Sequence, residues 1–202
     1  VTVLSAGLTG GFVANLLGLK RKSDQGWIIL GANAVARVLA KLMKSNNEEV
    51  ILIDENPSLC RMAEKEELKV IYGNGLEENI LLRAEVDLRK GAIGLSENEE
   101  VNMLFARRTK EVGKVSRTYI SIKRDDEGVT ADMVDEVGAI IPFARAIDLE
   151  KWSLWVRKEQ IETKELIYDN EEEITAENAF DKETEGLILP LTFLHNTTLI
   201  PI

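Results

Sequence analysis

The chain has 202 residues, 45% hydrophobic and 30% charged, an ordinary globular mixture that excludes a disordered or fibrous polypeptide. The length suits one α/β domain with an appendage. A net charge of −10 repels phosphate backbones, and the densest basic cluster is only Lys20, Arg21 and Lys22, so nucleic acid is not an expected partner. With one cysteine, Cys60, no intrachain disulfide can form, and the single histidine, His195, lies too far along the chain to suggest a zinc site.

Residues 1 to 19 carry no charge and run directly into Lys20, Arg21 and Lys22. A membrane helix leaves the bilayer on its cytoplasmic side in this way. At a helical rise the stretch would reach about 28 Å, barely a crossing, and Gly7, Gly10 and Gly11 weaken it as an isolated helix. Nothing basic precedes it and no small-residue cleavage region follows, so it is not a secretory signal. The chain also begins at Val1 without an initiator Met. The expectation is a fragment of a longer polypeptide that carries the end of a last membrane helix, with a partly buried soluble helix as the alternative.

From Trp27 onward, short apolar runs alternate with helical periods. "WIIL" (27 to 30) is a strand closed by Gly31, and residues 34 to 46 place Val35, Val38, Leu39, Leu42 and Met43 on one helical face with Arg37, Lys41 and Lys44 opposite. "EVILID" (49 to 54) is a second strand, followed by a helix with Asn56 as cap, Pro57 at its first position and Cys60 on its inner face. Residues 69 to 73, 91 to 95, 117 to 123 and 139 to 143 read as further strands, with helices near 76 to 85, 98 to 112 and 128 to 137. Continuous apolar strands imply a sheet covered on both faces, hence a parallel one with right-handed crossovers. The fold class is therefore α/β, a Rossmann-like doubly wound parallel sheet.

Beyond it, residues 146 to 160 form a helix whose face holds Leu149, Trp152 and Val156, with Trp155 widening the stripe, a pattern that suits core or dimer contact. The acidic residues 170 to 185 read as a solvated loop. Residues 186 to 193 and 197 to 202 read as a hairpin with His195 exposed at its tip, and Pro190 and Pro201 argue for edge strands. The expected division is a membrane-helix end and exit linker over residues 1 to 26, a nucleotide-binding domain over 27 to 145, and a helix plus small β-rich C-terminal appendage over 146 to 202.

The turn after the first strand is the candidate site. A dinucleotide-binding turn needs glycine for a tight turn, for close approach of backbone to pyrophosphate, and for helix–strand packing. Gly31, Asn33 and Ala36 occupy these places. Alanine is small enough for the third, whereas the Cβ and amide of Asn33 stand where pyrophosphate would meet bare backbone. The amides of residues 33 to 36, Ala34 among them, still open a helix N-terminus and attract anions. Asp54 ends the second strand about twenty residues after Gly31, where an acid meets ribose hydroxyls, and Glu55 follows it. An acid there favours NAD or AMP over NADP. Asn74 and Ser96 follow the third and fourth strands at the sheet edge where ligands bind in such folds. Their structural alternatives are a turn residue and a helix cap three residues before Glu99.

With "IILGANAVARVLAKLM", "VILIDENP", "VIYGNGLEENIL" and "GAIGLSENEEVNMLFARR" in place, residues 27 to 145 resemble the RCK or KTN regulatory domains (Trk-type N-terminal, NAD-binding) of potassium channels, Trk-type uptake systems and cation/proton antiporters. Gly73 and Asn74 stand where that family usually has Gly-Asp. Ser96, Glu97 and Asn98 replace its usual Thr and acids, and Asn102 matches a position often filled by asparagine. Residues 7 to 26 are similar to the final membrane helix and exit linker of monovalent cation/proton antiporters. The resemblance implies a dimeric cytoplasmic domain, not an enzyme, attached to a transporter in the inner or plasma membrane and sensing NAD(H) or an adenine nucleotide such as AMP. It also implies contact with the cofactor by Gly31, Asn33, Ala34, Ala36, Asp54, Glu55, Asn74, Ser96 and Asn102. Two other readings stay open. One is a Rossmann-like domain that has lost its ligand and serves dimerisation. The other is an NAD-dependent dehydrogenase, which lacks a proton-transferring histidine near the crevice and a substrate domain.

Overall fold

The structure is a computed structural model that describes residues 25 to 123, 128 to 161, 191 to 195 and 198 to 201. The expectations for residues 1 to 19 and for the acidic stretch lie outside the described residues. Five strands, β1 (Trp27–Leu30), β2 (Val50–Asp54), β3 (Lys69–Tyr72), β4 (Gly91–Gly94) and β5 (Arg117–Ile120), form one parallel sheet in the order β3-β2-β1-β4-β5. The order reverses between β2 and β4, on either side of β1, so the topological switch point lies at the carboxyl end of β1. Among the described residues, six α-helices connect and cover the strands: α1 (Ala34–Ser45), α2 (Pro57–Lys65), α3 (Glu78–Arg83), α4 (Glu99–Gly113), α5 (Ala131–Glu136) and α6 (Leu149–Arg157).

All four residues of β1 are buried, and their alternation divides the core. Trp27 and Ile29 face Val35, Leu39 and Met43 of α1 together with Phe143 and Leu149. Ile28 and Leu30 face Ile80 and Leu81 of α3 and Phe105 of α4. Each such side chain removed from water contributes about 1.5 to 3 kcal/mol, so a one-residue shift of β1 would be costly on both faces. A third cluster joins Met103 and Ala106 of α4 to Ile120, Val129 and Val134, the last on α5 itself.

Helix ends follow local chemistry. Asn56 caps α2 through Ser58 and Leu59 with Pro57 at the first position, as its sequence predicts. The cap of α4 is Asn98, whose side chain accepts from Val101 N, rather than Ser96. The predicted strand over 139 to 143 reduces to a single rung: Ile140 bridges Tyr119, and Pro142 then opens a short 3-10 turn. Proline has no N–H to continue the ladder.

α6, capped by Asp148, packs against α1, with Trp152 and Val156 on the main core. Trp155 meets Trp152 edge-on at 5.2 Å. Thr192–His195 and Thr198–Pro201 pair as an antiparallel hairpin, β6 and β7, with His195 opposite Thr198 at its turn; the exposure of that histidine lies outside the described residues. Among the described residues no helix is long and apolar enough to cross a membrane.

Candidate functional site

The turn after β1 is built around one glycine. Gly31 has φ +103°, a region only glycine enters freely, and a Cβ there would stand 2.7 Å from the Leu95 carbonyl oxygen. The loops after β1 and β4 therefore touch across the switch point. Asn33 strengthens that contact, because its Nδ2 donates to the Leu95 carbonyl at 2.6 Å while its Oδ1 accepts from Ala36 N at 3.0 Å. The side chain is 6% exposed. It is turned inward, as the cap of α1 and as a tie to the β4 loop. Ala36 is fully buried at the third place of the turn, where its small side chain meets the core.

Asp54 closes the other side. Its Oδ2 accepts from Ala32 N at 2.6 Å and its Oδ1 from Asn56 N at 2.7 Å, so two backbone donors fix the plane of a half-buried carboxylate beside the turn. Oxygens fixed in this way retain acceptor capacity for a further hydroxyl. The N–H groups of Asn33, Ala34 and Val35 have no hydrogen-bond partner among the described residues, although Ala34 and Val35 are 3% and 2% exposed. Donors in such surroundings normally meet water or a ligand, and at a helix N-terminus they favour an anion.

The other predicted site residues fall around this centre. Glu55 is exposed beside Asp54. Asn74 is a turn residue whose Oδ1 accepts from Leu76 N at 2.9 Å. Ser96 and Asn102 lie together on the β4 side: Asn102 Oδ1 accepts from Ser96 N at 2.9 Å and Ser96 Oγ at 2.7 Å, and Asn102 Nδ2 donates to the carbonyls of Ser96 and Ser121, both at 3.0 Å. All four hydrogen-bonding positions of that fully buried amide are thus used within the protein.

Two residues of this region escaped the sequence. Arg37, expected on the solvent face of α1, is 7% exposed, donates from Nη1 to the Ala32 carbonyl at 2.7 Å and from Nε to Glu66 at 3.0 Å. Its acidic partner is what draws it inside, and no periodicity marks a long-range ion pair. Glu99, in the first turn of α4, accepts from Lys123 N at 2.8 Å and Val129 N at 3.0 Å and so holds the loop after β5. Cys60 is buried as expected, its thiol donating to the Asp54 carbonyl at 3.4 Å; burial, then the Asp54 charge, pushes its pKa above the ordinary value. Among the described residues no group of His, Cys, Asp and Glu is placed to hold a metal ion.

A five-stranded parallel sheet in this order, with a turn and a helix N-terminus at its switch point and an acid at the end of β2, defines a Rossmann-like α/β fold. Residues 27 to 141 match the model of the TrkA-N domain, more than half of the chain, and the chain belongs to that family. The NAD(P)-binding domain of an exopolyphosphatase-related protein from Archaeoglobus fulgidus is similar at 13% identity and TM-score 0.52, over 68% of this chain and 99% of its own. The TrkA-N domain of the inner membrane protein ybaL from Escherichia coli is similar at 15% identity and TM-score 0.52, over 69% and 98%. The GsuK channel bound to NAD is similar at 17% identity and TM-score 0.51, over 70% of this chain but 27% of the channel. At these identities the structural likenesses show the fold. No curated protein matches the chain.

Proposed function

We propose that the chain is the nucleotide-sensing regulatory part of a monovalent cation (Na+ or K+)/proton antiporter, a cytoplasmic dimeric domain of an integral membrane protein rather than an enzyme. The observation that carries the nucleotide reading is the pairing of Asp54 with the turn after β1. The acid is fixed beside Ala32 N, and the N–H groups of residues 33 to 35, buried at the start of α1, have no hydrogen-bond partner among the described residues. Asp54 would accept the ribose hydroxyls of an adenine nucleotide, NAD(H) or AMP, and the amides would receive its phosphate. Gly31, Asn33, Ala34 and Ala36 shape that mouth, Glu55 and Asn74 flank the adenosine side, and Ser96 with Asn102 supports the β4 side. The transporter context rests on family membership and on the uncharged residues 1 to 19 followed by three cations. The ligand would act by binding one domain arrangement about 1 to 3 kcal/mol better than another.

A ligand-free scaffold is the second reading, and one observation favours it: residues 31 to 37 are all buried, and the Asn33 side chain already joins the β1 turn to the β4 loop. Melting of the full chain with NADH, NAD, AMP and ATP separates the two. A ligand at one hundred times its dissociation constant adds about 2.7 kcal/mol, so at least one of the four should raise the melting temperature by several degrees. No shift with any of them would leave the scaffold reading standing.

A further inference from the structure

We infer that Arg37, anchored by Glu66, is a positioning residue that orients the Asn33 backbone amide toward the phosphate of the nucleotide; the inference rests on the nucleotide-binding reading above. The Arg37 guanidinium lies in the seam between α1 and α2. Its Nε donates to Glu66 Oε1 at 3.0 Å, while the second Glu66 oxygen takes Lys41 Nζ at 2.9 Å. Held there, Nη1 donates to the Ala32 carbonyl at 2.7 Å. The peptide between Ala32 and Asn33 is planar and trans, so its carbonyl and its N–H point in opposite directions. A carbonyl drawn into the α1–α2 seam therefore turns the Asn33 N–H away from the seam. The preceding peptide is fixed as well, because Ala32 N donates to Asp54. Arg37 and Asp54 thus clamp the two polar ends of residue 32 from opposite sides, and they set the direction of the first free amide of the helix mouth.

A second feature supports a role beyond packing. Arg37 is a cation in the first turn of α1, where the helix dipole disfavours positive charge and where no acidic residue stands in that turn. Its placement there is unfavourable for the helix alone. It suits a turn whose remaining donors are to receive an anion.

The test is isothermal titration of the parent chain and of the variants Arg37→Met and Glu66→Ala with AMP and with adenosine, alongside their melting temperatures. Adenosine lacks the phosphate and reports the Asp54 side alone. Loss of one well-aimed donor should weaken AMP by about fivefold while changing adenosine by less than about twofold, and Glu66→Ala, which leaves every residue of the mouth in place, should show the same selective loss. A residue that only stabilises the fold would lower the melting temperature and weaken both ligands alike. Equal weakening of AMP and adenosine, or AMP affinity unchanged in both variants, overturns the positioning role while leaving nucleotide binding intact. Failure of the parent to bind AMP, adenosine or NADH instead removes the nucleotide reading, and the positioning role with it.

Discussion

At the scale of single residues, Asn33 shows how one side chain can hold a turn and alter its chemistry. It caps α1 and grips the Leu95 carbonyl, so it replaces the missing glycine by two hydrogen bonds rather than by freedom of backbone. Asn33→Gly keeps a tolerable cap but leaves the Leu95 carbonyl without its buried donor, and we expect a loss of about 1 to 2 kcal/mol in urea unfolding. The same variant should bind NADH more tightly than the parent, because bare backbone lets the pyrophosphate approach; unchanged or weaker binding would show that the asparagine does not limit access. Asp54 is the complementary case. Asp54→Asn keeps one acceptor, for Ala32 N, but sets its amide donor against Asn56 N and loses the charge-assisted bonds to ribose, each worth about 1.5 to 3 kcal/mol. Nucleotide affinity should fall by at least about tenfold, with a melting temperature lowered by the loss of one backbone contact. The position of Asp54 was legible because the end of a strand and its distance from Gly31 are sequence properties. The inward turn of Asn33 was not, since its acceptor, Leu95, lies far along the chain and becomes a neighbour only when β4 pairs with β1.

At the scale of elements, the loops after β4 and β5 are joined by side chains of α4. Asn102 alone satisfies two groups of Ser96 and the carbonyls of both loops, and Glu99 holds two amides of the segment leading to α5. Asn102→Ala would strand several buried polar groups and should cost about 2 to 4 kcal/mol, seen as a lowered urea midpoint. Gly94 makes the approach of α4 possible: a Cβ there would lie 2.7 Å from the Asn102 Cβ and 3.0 Å from its Cα. Gly94→Ala should therefore destabilise by about 1 to 3 kcal/mol through overpacking, and a neutral result would mean that α4 can shift without cost. Apolar runs, helical periods and the Asn56-Pro57 start located β1 to β5 and the six described helices to within a few residues, because these signals are local. The strand over 139 to 143 was misread because an apolar run alone cannot show that only Ile140 reaches the β5 edge before Pro142 ends the ladder. Arg37 and Glu99 were missed for a related reason: a charged residue at helical spacing looks solvated until its distant partner is known.

At the scale of the whole molecule, two acids tie separate elements together and give folding a pH dependence. Hydrogen bonds from Lys69, then Arg89, hold the Glu49 carboxyl below its ordinary value of 4.5. Burial pushes Glu66 up, but the Lys41 hydrogen bond and the Arg37 charge outweigh it, and its pKa is also lowered from 4.5. A carboxylate whose pKa is depressed by folding adds stability that is fully present above its unfolded value and is lost as pH falls through the folded value. The melting temperature should thus be steady at neutral pH and decline below about pH 4.5, and Glu66→Gln should flatten part of that decline. The parallel α/β sheet was legible in the chain's periodicity and the family in its motifs, whereas the order β3-β2-β1-β4-β5 and the tie between the β1 turn and the β4 loop emerge only from the fold. In the proposed reading, the loops after β1, β2 and β4 form a nucleotide site with Asp54 as the sugar ligand. A crystal structure of the full chain grown with AMP or NADH should place the ribose hydroxyls within hydrogen-bonding distance of the Asp54 carboxylate and a phosphate at the amides of residues 33 to 35; a ligand seated elsewhere, or none bound at saturating nucleotide, would contradict that reading.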